Sequence, residues 1–300
     1  MHKKNDLIQR IHNSLPKLSK GQRLIANYIL NHYEKAVFLT AAKLGNIVGV
    51  SESTVVRFAN ELGYDGYPKL QRALEELVKN RLTSVQRMEV ASDRLEQQHV
   101  LKHVLQSDAE KIKCTLEEID EETFDKSVDI ILNARQIYIL GVRSSAALAS
   151  FLGFYFNLLF DNIKLIHTNS VSEMFEQIYK IKSDDVVIGI SFPRYSKRTI
   201  KAMEFAKTQG AAVITITDSP LSPMTQYADY SLLARSDMAS FVDSLVAPMS
   251  VLNALIVALS LRKKEEISDT LSKLENIWTE YQVYDNQDED LNLTYSLNKK

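Results

Sequence analysis

The chain has 300 residues and a formal net charge of −2, with 25% charged and 45% hydrophobic side chains, which is room for two ordinary domains. The charge is uneven: 12 Lys and Arg stand against 7 Asp and Glu up to residue 80, and 24 against 31 beyond it, so a basic head precedes an acidic body, as in a nucleic-acid module joined to something else. A single cysteine, Cys114, excludes an intramolecular disulfide and a cysteine metal cluster and fits a reducing cytoplasm, and MHKKNDLIQR has no apolar core, so no signal peptide is expected.

Residues 5–15 read as a short helix with Leu7, Ile8 and Ile11 inward, stopped by Pro16. Ser19 caps a second helix over 20–31, with Leu24, Ile25, Tyr28 and Ile29 on one face. Residues 39–63, LTAAKLGNIVGVSESTVVRFANELG, read as two short helices around a break at Gly49 and Val50. The first carries Ala41, Ala42, Leu44, Ile47 and Val48 at helical spacing. Ser51 offers a cap to the second, which buries Val55, Phe58, Ala59 and Leu62. Glu52, Ser53, Thr54, Arg57 and Asn60 face outward. Short polar residues at a helix start followed by an arginine suit a DNA major groove. A glycine-bearing turn over 63–68 leads to a helix over 69–81, closing an all-helical unit over 1–82.

Residues 83–98 are polar and weakly periodic and read as a linker. Helices follow over 100–118 and 122–133. Strands are expected at 136–140, 163–166, 186–190, 212–217 and 230–234, with helices over 146–160, 174–182 and 197–209 between the first four, the last ending at Gly210. That alternation implies a parallel sheet covered on both faces. Two long helices over 241–262 and 265–284 complete the unit, 99–284, and 285–300 reads as a disordered acidic tail. The apolar stretch 242–261 carries Asp243, Pro248 and Asn253 and reads as a buried helix, so no membrane partner is expected.

Ligands of open parallel sheets bind beyond the carboxyl ends of the strands, beside helix N-termini that favour anions. The loops after the first and third strands, Gly141-Val142-Arg143-Ser144-Ser145 and Ser191-Phe192-Pro193-Arg194-Tyr195-Ser196-Lys197-Arg198-Thr199, are rich in hydroxyls and cations. Hydroxyls and backbone N–H groups cradle a phosphate, and arginine adds bidentate bonds; Ser and Thr are also ordinary cap residues. His99 and His103, four apart, have no clustered Asp or Cys partner, no nucleotide-binding P-loop occurs, and Gly141 alone is no dinucleotide fingerprint, so neither metal nor cofactor is expected.

SESTVVRFANELGYDGYPKL resembles the N-terminal domain of the RpiR-type bacterial transcription regulators. ILGVRSSAALA, VVIGISFPRYSKRTIKAMEFAKTQGA and VITITDSPLSPMTQYAD resemble the sugar isomerase (SIS) domain of the same regulators, in the same order. The resemblance implies an all-α helix-turn-helix head followed by an α/β three-layer parallel-sheet SIS domain. It implies a DNA-binding regulator of sugar or amino-sugar metabolism, acting as a homodimer or higher oligomer on a near-palindromic operator and controlled by a phosphosugar or related acidic sugar. Ser145 then stands where the first loop supplies its phosphate-binding serine, and Ser191, Ser196 and Thr199 where the second supplies hydroxyls. Two family glycines are arginines here. Arg143 occupies the second glycine of G-x-G-x-S, and Pro193-Arg194 replaces Ser-Gly of S-x-S-G-x-T. Both arginines, with Ser144 and Tyr195, are candidate ligand contacts. In the head, Ser51, Ser53 and Thr54 are candidates for bases or phosphates and Arg57 for phosphate. Lys43, Tyr64, Tyr67 and Lys69 are candidates for backbone contacts, with domain packing the alternative for the two tyrosines. The rival function is a sugar-phosphate isomerase with an added helical domain, for which His167 and Glu173 are the nearby bases, although HTNSVSEMFEQ lacks the H-G-D type sequence of related isomerases.

Overall fold

The computed structural model describes residues 7–78, 83–88, 99–168, 170–237 and 242–284. The head folds as α1 (Leu7–Ser14), α2 (Lys20–Asn31), α3 (Tyr33–Ala36), α4 (Ala41–Val48), α5 (Glu52–Glu61) and α6 (Tyr67–Val78). Their apolar faces meet in one core around Ile25, Ile29, Leu44, Phe58, Leu70 and Leu74. Local chemistry sets the starts. Ser19 and Gln22 exchange side-chain and backbone hydrogen bonds in a complete capping box on α2. Thr40 caps α4 by accepting from the Lys43 N–H at 3.2 Å. Helix α6 begins two residues ahead of the expected 69 because Pro68 lies in its first turn, where no N–H is needed.

Two inward assignments are corrected. Leu24 is 44% and Ile47 54% exposed, because Ile25 with Ile29, and Ala41 with Leu44, take the buried stripes of α2 and α4. The turn between α4 and α5 runs through Gly49, left-handed at φ 76°, whose N–H donates to the Gly45 carbonyl. Ser51 holds the N-cap position of α5 without capping it; its hydroxyl instead pairs with those of Ser53 at 2.9 Å and Thr54 at 2.8 Å.

In the body, α7 (Val100–Glu118) and α8 (Glu121–Leu132) precede β1 (Ile137–Gly141), α9 (Ser145–Leu159), β2 (Ile163–Ile166), α10 (Val171–Ile178), β3 (Val186–Ile190), α11 (Lys197–Thr208), β4 (Ala212–Thr217) and β5 (Tyr230–Leu233). Then come α12 (Val246–Arg262) and α13 (Lys264–Glu280). The strands pair in the order β2-β1-β3-β4-β5, all parallel. Every residue of β1 and β3 is buried, as central parallel strands covered on both faces must be. One face packs on α8, α9 and α12 through Ile131, Leu152, Phe156 and Leu255. The other packs on α10 and α11 through Met174, Ile178, Ala202 and Met203.

Helix α12 starts at Val246, not near 241: residues 242–245 lie ahead of it in irregular backbone, and the predicted start at 241 falls outside the described residues. Likewise the acidic tail, 285–300, and most of the predicted linker lie outside them. Residues 84–88 of that linker form a single helical turn, with Thr83 and Gln86 bonded reciprocally as a second capping box. Among the described residues no single helix is long and apolar enough to cross a membrane; α12 and α13 meet that test only together, across a 100° bend.

Candidate functional site

The chain steps from β1 outward to β2, then returns past β1 to β3. The loops after β1 and β3 therefore leave toward opposite faces, opening a crevice over the strand ends. A cavity of ≈ 450 Å³ occupies it. Six predicted residues share its lining: Arg143, Ser144 and Ser145 from one loop, Ser191, Arg194 and Ser196 from the other. Val142, Phe192 and Pro193 of the same loops line it too, and Ser84, Arg87, Val242, Asp243 and Leu245, which the sequence does not mark as site residues, complete the wall. The T-x-x-Q pattern at 83–86 was the available signal for a structured turn there. Nothing local marks Asp243, because its placement depends on where α12 begins.

Each hydroxyl has a local reason for its position. Ser145 opens α9 and is 4% exposed. Ser196 caps α11 by accepting from the Thr199 N–H at 3.3 Å, and its own N–H donates to Ser191 Oγ at 3.0 Å, which ties the second loop into a tight bend. Tyr195 and Thr199 are absent from the lining. The Tyr195 hydroxyl donates to Asp218 at 2.7 Å and its ring packs on the core under α11. Thr199 is fully buried, and its hydroxyl has no hydrogen-bond partner among the described residues.

The cavity is cationic. Its described lining holds three arginines, 87, 143 and 194, against one carboxylate, Asp243. Arg87 is 3% exposed and its Nη1 lies 2.7 Å from Asp243 Oδ1. Arg194 Nη1 donates to Ser84 Oγ at 2.9 Å. Arg143 and Arg194 are also two of the three non-glycine residues at positive φ among the described residues, at 57° and 62°. The loop patterns that these segments resemble have glycine at the two positions, and the backbone here takes left-handed angles that glycine adopts at no steric cost. A left-handed L-residue costs about 1–2 kcal/mol, so each loop holds strain that an interaction elsewhere offsets. Arg143→Gly and Arg194→Gly are each expected to raise stability by about 0.5–1 kcal/mol, the strain relieved less the extra chain entropy of glycine. Thermal unfolding checks this; a fall in melting temperature for both would show that the guanidinium contacts outweigh the strain.

A smaller cavity of ≈ 310 Å³, lined by Gly141, Val142, Arg143, Ala146, His167 and Thr168, lies on the β2 side of the first loop. His167 Nε2 is 3.3 Å from Ser150 Oγ, and the Thr168 hydroxyl donates to Glu173 at 2.5 Å. Neither His167 nor Glu173 lines the larger cavity. No group of three or more metal-ligating side chains occurs among the described residues.

On the head, a shallow hollow of ≈ 410 Å³ collects Ser51, Thr54 and Arg57 with Ser19, Gly21 and Gln22 at the start of α2. In the sequence Ser19 is legible only as a helix cap, and nothing marks Gly21 or Gln22; a second helix N-terminus beside α5 suits a phosphate. Ser53 and Arg57 are exposed, and Arg57 Nε donates back to the Ser53 carbonyl at 3.3 Å. Lys43 and Lys69 are exposed as well. Tyr67 is a core residue, 3% exposed with its hydroxyl donating to the Leu39 carbonyl at 2.8 Å, so its assignment to a backbone phosphate is corrected in favour of packing. Tyr64 is half-buried against the same core, with the Arg10 guanidinium 5.5 Å over its ring.

Residues 5–81 match the helix-turn-helix domain of the rpiR family, and residues 130–258 match the SIS domain. An uncharacterized HTH-type transcriptional regulator of Haemophilus influenzae is 27% identical over 293 residues, 94% of this chain and 100% of its own. The HTH-type transcriptional regulator HexR of Pseudomonas aeruginosa is 25% identical over 276 residues, 90% of this chain and 94% of its own. Among solved structures, the sugar isomerase domain of an RpiR transcription factor from Sphaerobacter thermophilus superposes with a TM-score of 0.57 at 26% identity, covering 60% of this chain and 99% of that one. The Vibrio vulnificus NanR protein complexed with ManNAc-6P shares the fold over 92% of this chain and 98% of its own, with a TM-score of 0.54 at 20% identity.

Proposed function

Because this chain belongs to the rpiR-type helix-turn-helix transcription regulators that carry a SIS domain, we propose that its DNA affinity is set by a phosphosugar-type effector held over the ends of β1 and β3. The cationic, hydroxyl-lined cavity at the switch point carries this reading. A phosphate brings a charge of about −1.5 to −2 at neutral pH, which suits three guanidinium groups facing one carboxylate. The genes it controls belong to sugar or amino-sugar metabolism, in line with a structural relative solved with a phosphorylated amino sugar. Residues 1–82 form the DNA-binding unit, 83–98 connect it, and 99–284 form the effector unit of a cytoplasmic protein.

DNA is read by α5. Ser51, Ser53 and Thr54 meet base edges or phosphates, Arg57 holds a phosphate, and Lys43, Tyr64 and Lys69 add backbone contacts. One head alone binds weakly, so two act together on a near-palindromic operator. Exposed Leu101 and Leu116 on α7, each 75% exposed, and Phe154 on α9 support an apolar contact between copies. Effector binding shifts the dimer between two arrangements of its heads, by as much as it favours one over the other.

The pairing of His167 to Ser150 and of Thr168 to Glu173, with both candidate bases outside the larger cavity, supports a regulator over an isomerase. Selection of DNA sites by the full-length protein, with candidate phosphosugars present and absent, tests both halves of the reading. No enriched site, or enrichment indifferent to every phosphosugar, would sink it; turnover of a phosphosugar by the purified chain would favour the isomerase instead. On a selected site, Arg57→Ala is expected to weaken binding by about tenfold and to lower the salt slope by about 1, the loss of one phosphate contact. An unchanged slope in titrations across salt concentrations would remove Arg57 from the phosphate backbone.

A further inference from the structure

The effector cavity has a wall that neither matched domain supplies. Ser84 and Arg87 lie between the helix-turn-helix match, which ends at 81, and the SIS match, which begins at 130. Yet both line the cavity, and both are tied to the body: Ser84 by Arg194, Arg87 by Asp243. Arg87 is the buried arginine of the three, at 3% exposure, whereas Arg143 and Arg194 are exposed. The turn that carries it is locally built, closed by the reciprocal Thr83 and Gln86 bonds. A buried guanidinium inside an anion-sized cavity is placed to meet a ligand as well as a neighbouring carboxylate.

We propose that Arg87 is a ligand-binding residue for the anionic group of the effector, contributed by the segment that joins the two domains, and that Asp243 competes with that group for the Arg87 guanidinium. This rests on the reading of the cavity as a phosphosugar site. An anion entering beside Arg143 and Arg194 takes up bonds from Arg87, while Asp243 repels it. The docked segment and the bound anion then stabilise each other by the same factor, because linkage is reciprocal. The effector is thereby read at the one stretch that leads directly to the DNA-binding head. The specificity is for a ligand with a compact multivalent anion; a neutral sugar leaves Arg87 on Asp243.

The test is calorimetric titration of the full-length chain with inorganic phosphate, which has no sugar hydroxyls for Asp243 to bind. Arg87→Ala is expected to weaken phosphate binding by about tenfold or more, and Asp243→Asn to tighten it severalfold. Amide hydrogen exchange over residues 83–88 is expected to slow with phosphate in the parent and not in Arg87→Ala. A purely structural ion pair would move both variants in the same direction, so weakened binding in Asp243→Asn overturns the proposal, as does unchanged affinity in Arg87→Ala. If the parent chain binds neither phosphate nor any phosphosugar, the reading of the cavity itself falls; if it binds and Arg87→Ala binds equally, only the role of the connecting segment falls.

Discussion

Gly45→Ala is expected to lower affinity for a selected operator at least about tenfold, roughly the loss of one well-formed base contact, while leaving effector binding intact. Gly45 is buried in α4 at the closest approach to the turn. An added Cβ would lie 2.7 Å from the Val50 carbonyl oxygen and 3.4 Å from the Glu52 nitrogen. Both are backbone atoms, so no side chain can swing aside. Alanine's better helix propensity returns about 1 kcal/mol, and overpacking costs about 1–3 kcal/mol. The balance is a modest loss of stability, together with a displaced α5, since the Val50 N–H also bonds the Gly45 carbonyl at 2.8 Å. Gly49→Ala is the informative contrast. Its φ is +76° and nothing lies within 4 Å of an added Cβ. It incurs about 1–2 kcal/mol of left-handed strain but leaves the crossing of α4 and α5 unchanged. Both variants should unfold earlier on heating, and only Gly45→Ala should lose DNA affinity below its transition. Equal operator binding by Gly45→Ala and the parent in an anisotropy titration would refute the link between this contact and the pose of α5.

Where a residue's role is decided by its immediate neighbours in sequence, the sequence showed it. The capping serine Ser19, the strand runs at 163–166, 186–190 and 212–217, and the left-handed Gly210 are all local events. The parallel sheet itself followed from alternation, and the two loops over its edge followed from the sheet. What failed depended on which helical stripe wins the core. Leu24 and Ile47 are as apolar as Ile25 and Leu44, and only the packing of α2, α4 and α5 decides which are covered. For Tyr67 the choice between a DNA-backbone contact and packing stayed open for the same reason: its hydroxyl finds the Leu39 carbonyl, 28 residues away.

The site divides along that line too. Ser145, Ser191 and Ser196 stand on loops whose position the strand ends fix. Arg143 and Arg194 stand out as departures from the glycine pattern of the loops they resemble, and their φ values lie in the left-handed region that favours glycine. Ser84, Arg87 and Asp243 were invisible because their approach spans 110 and 156 residues of chain. No local pattern reports a contact of that reach. A polar, weakly periodic stretch looks alike whether it hangs free or docks in a cleft.

Gly141→Ala is expected to be the more damaging of two single-methyl additions at adjacent register positions of the sheet. Gly141 ends β1 beside Ile190, and Gly189 lies on β3 beside Leu140. At Gly141 the added Cβ would lie 2.5 Å from the Ser145 carbonyl oxygen and 2.8 Å from Ala149 Cβ. Both belong to the first turns of α9, so the helix must back away from the sheet. That helix carries Leu148, Leu152 and Phe156 into the core, and Ser145 into the cavity. The cost is therefore at the upper end of overpacking, about 3 kcal/mol, which at about 2–4 °C per kcal/mol lowers the melting temperature by roughly 6–12 °C. Phosphosugar binding should be lost with it, because Arg143, Ser144 and Ser145 all shift. At Gly189 the added Cβ instead meets the sulfur of Met203, the flexible part of a side chain that can adopt another rotamer. Gly189→Ala should cost nearer the lower end of overpacking, about 1 kcal/mol, and keep effector binding. Calorimetric unfolding and a phosphosugar titration on the two variants decide the matter. If Gly189→Ala proves the worse, or Gly141→Ala still binds effector as the parent does, then the close seating of α9 on β1 is not what holds the first loop in place. Because the two glycines share a sheet edge and the substitutions share a methyl, the difference between them reports only what stands behind each strand: backbone in one case, a rotatable side chain in the other.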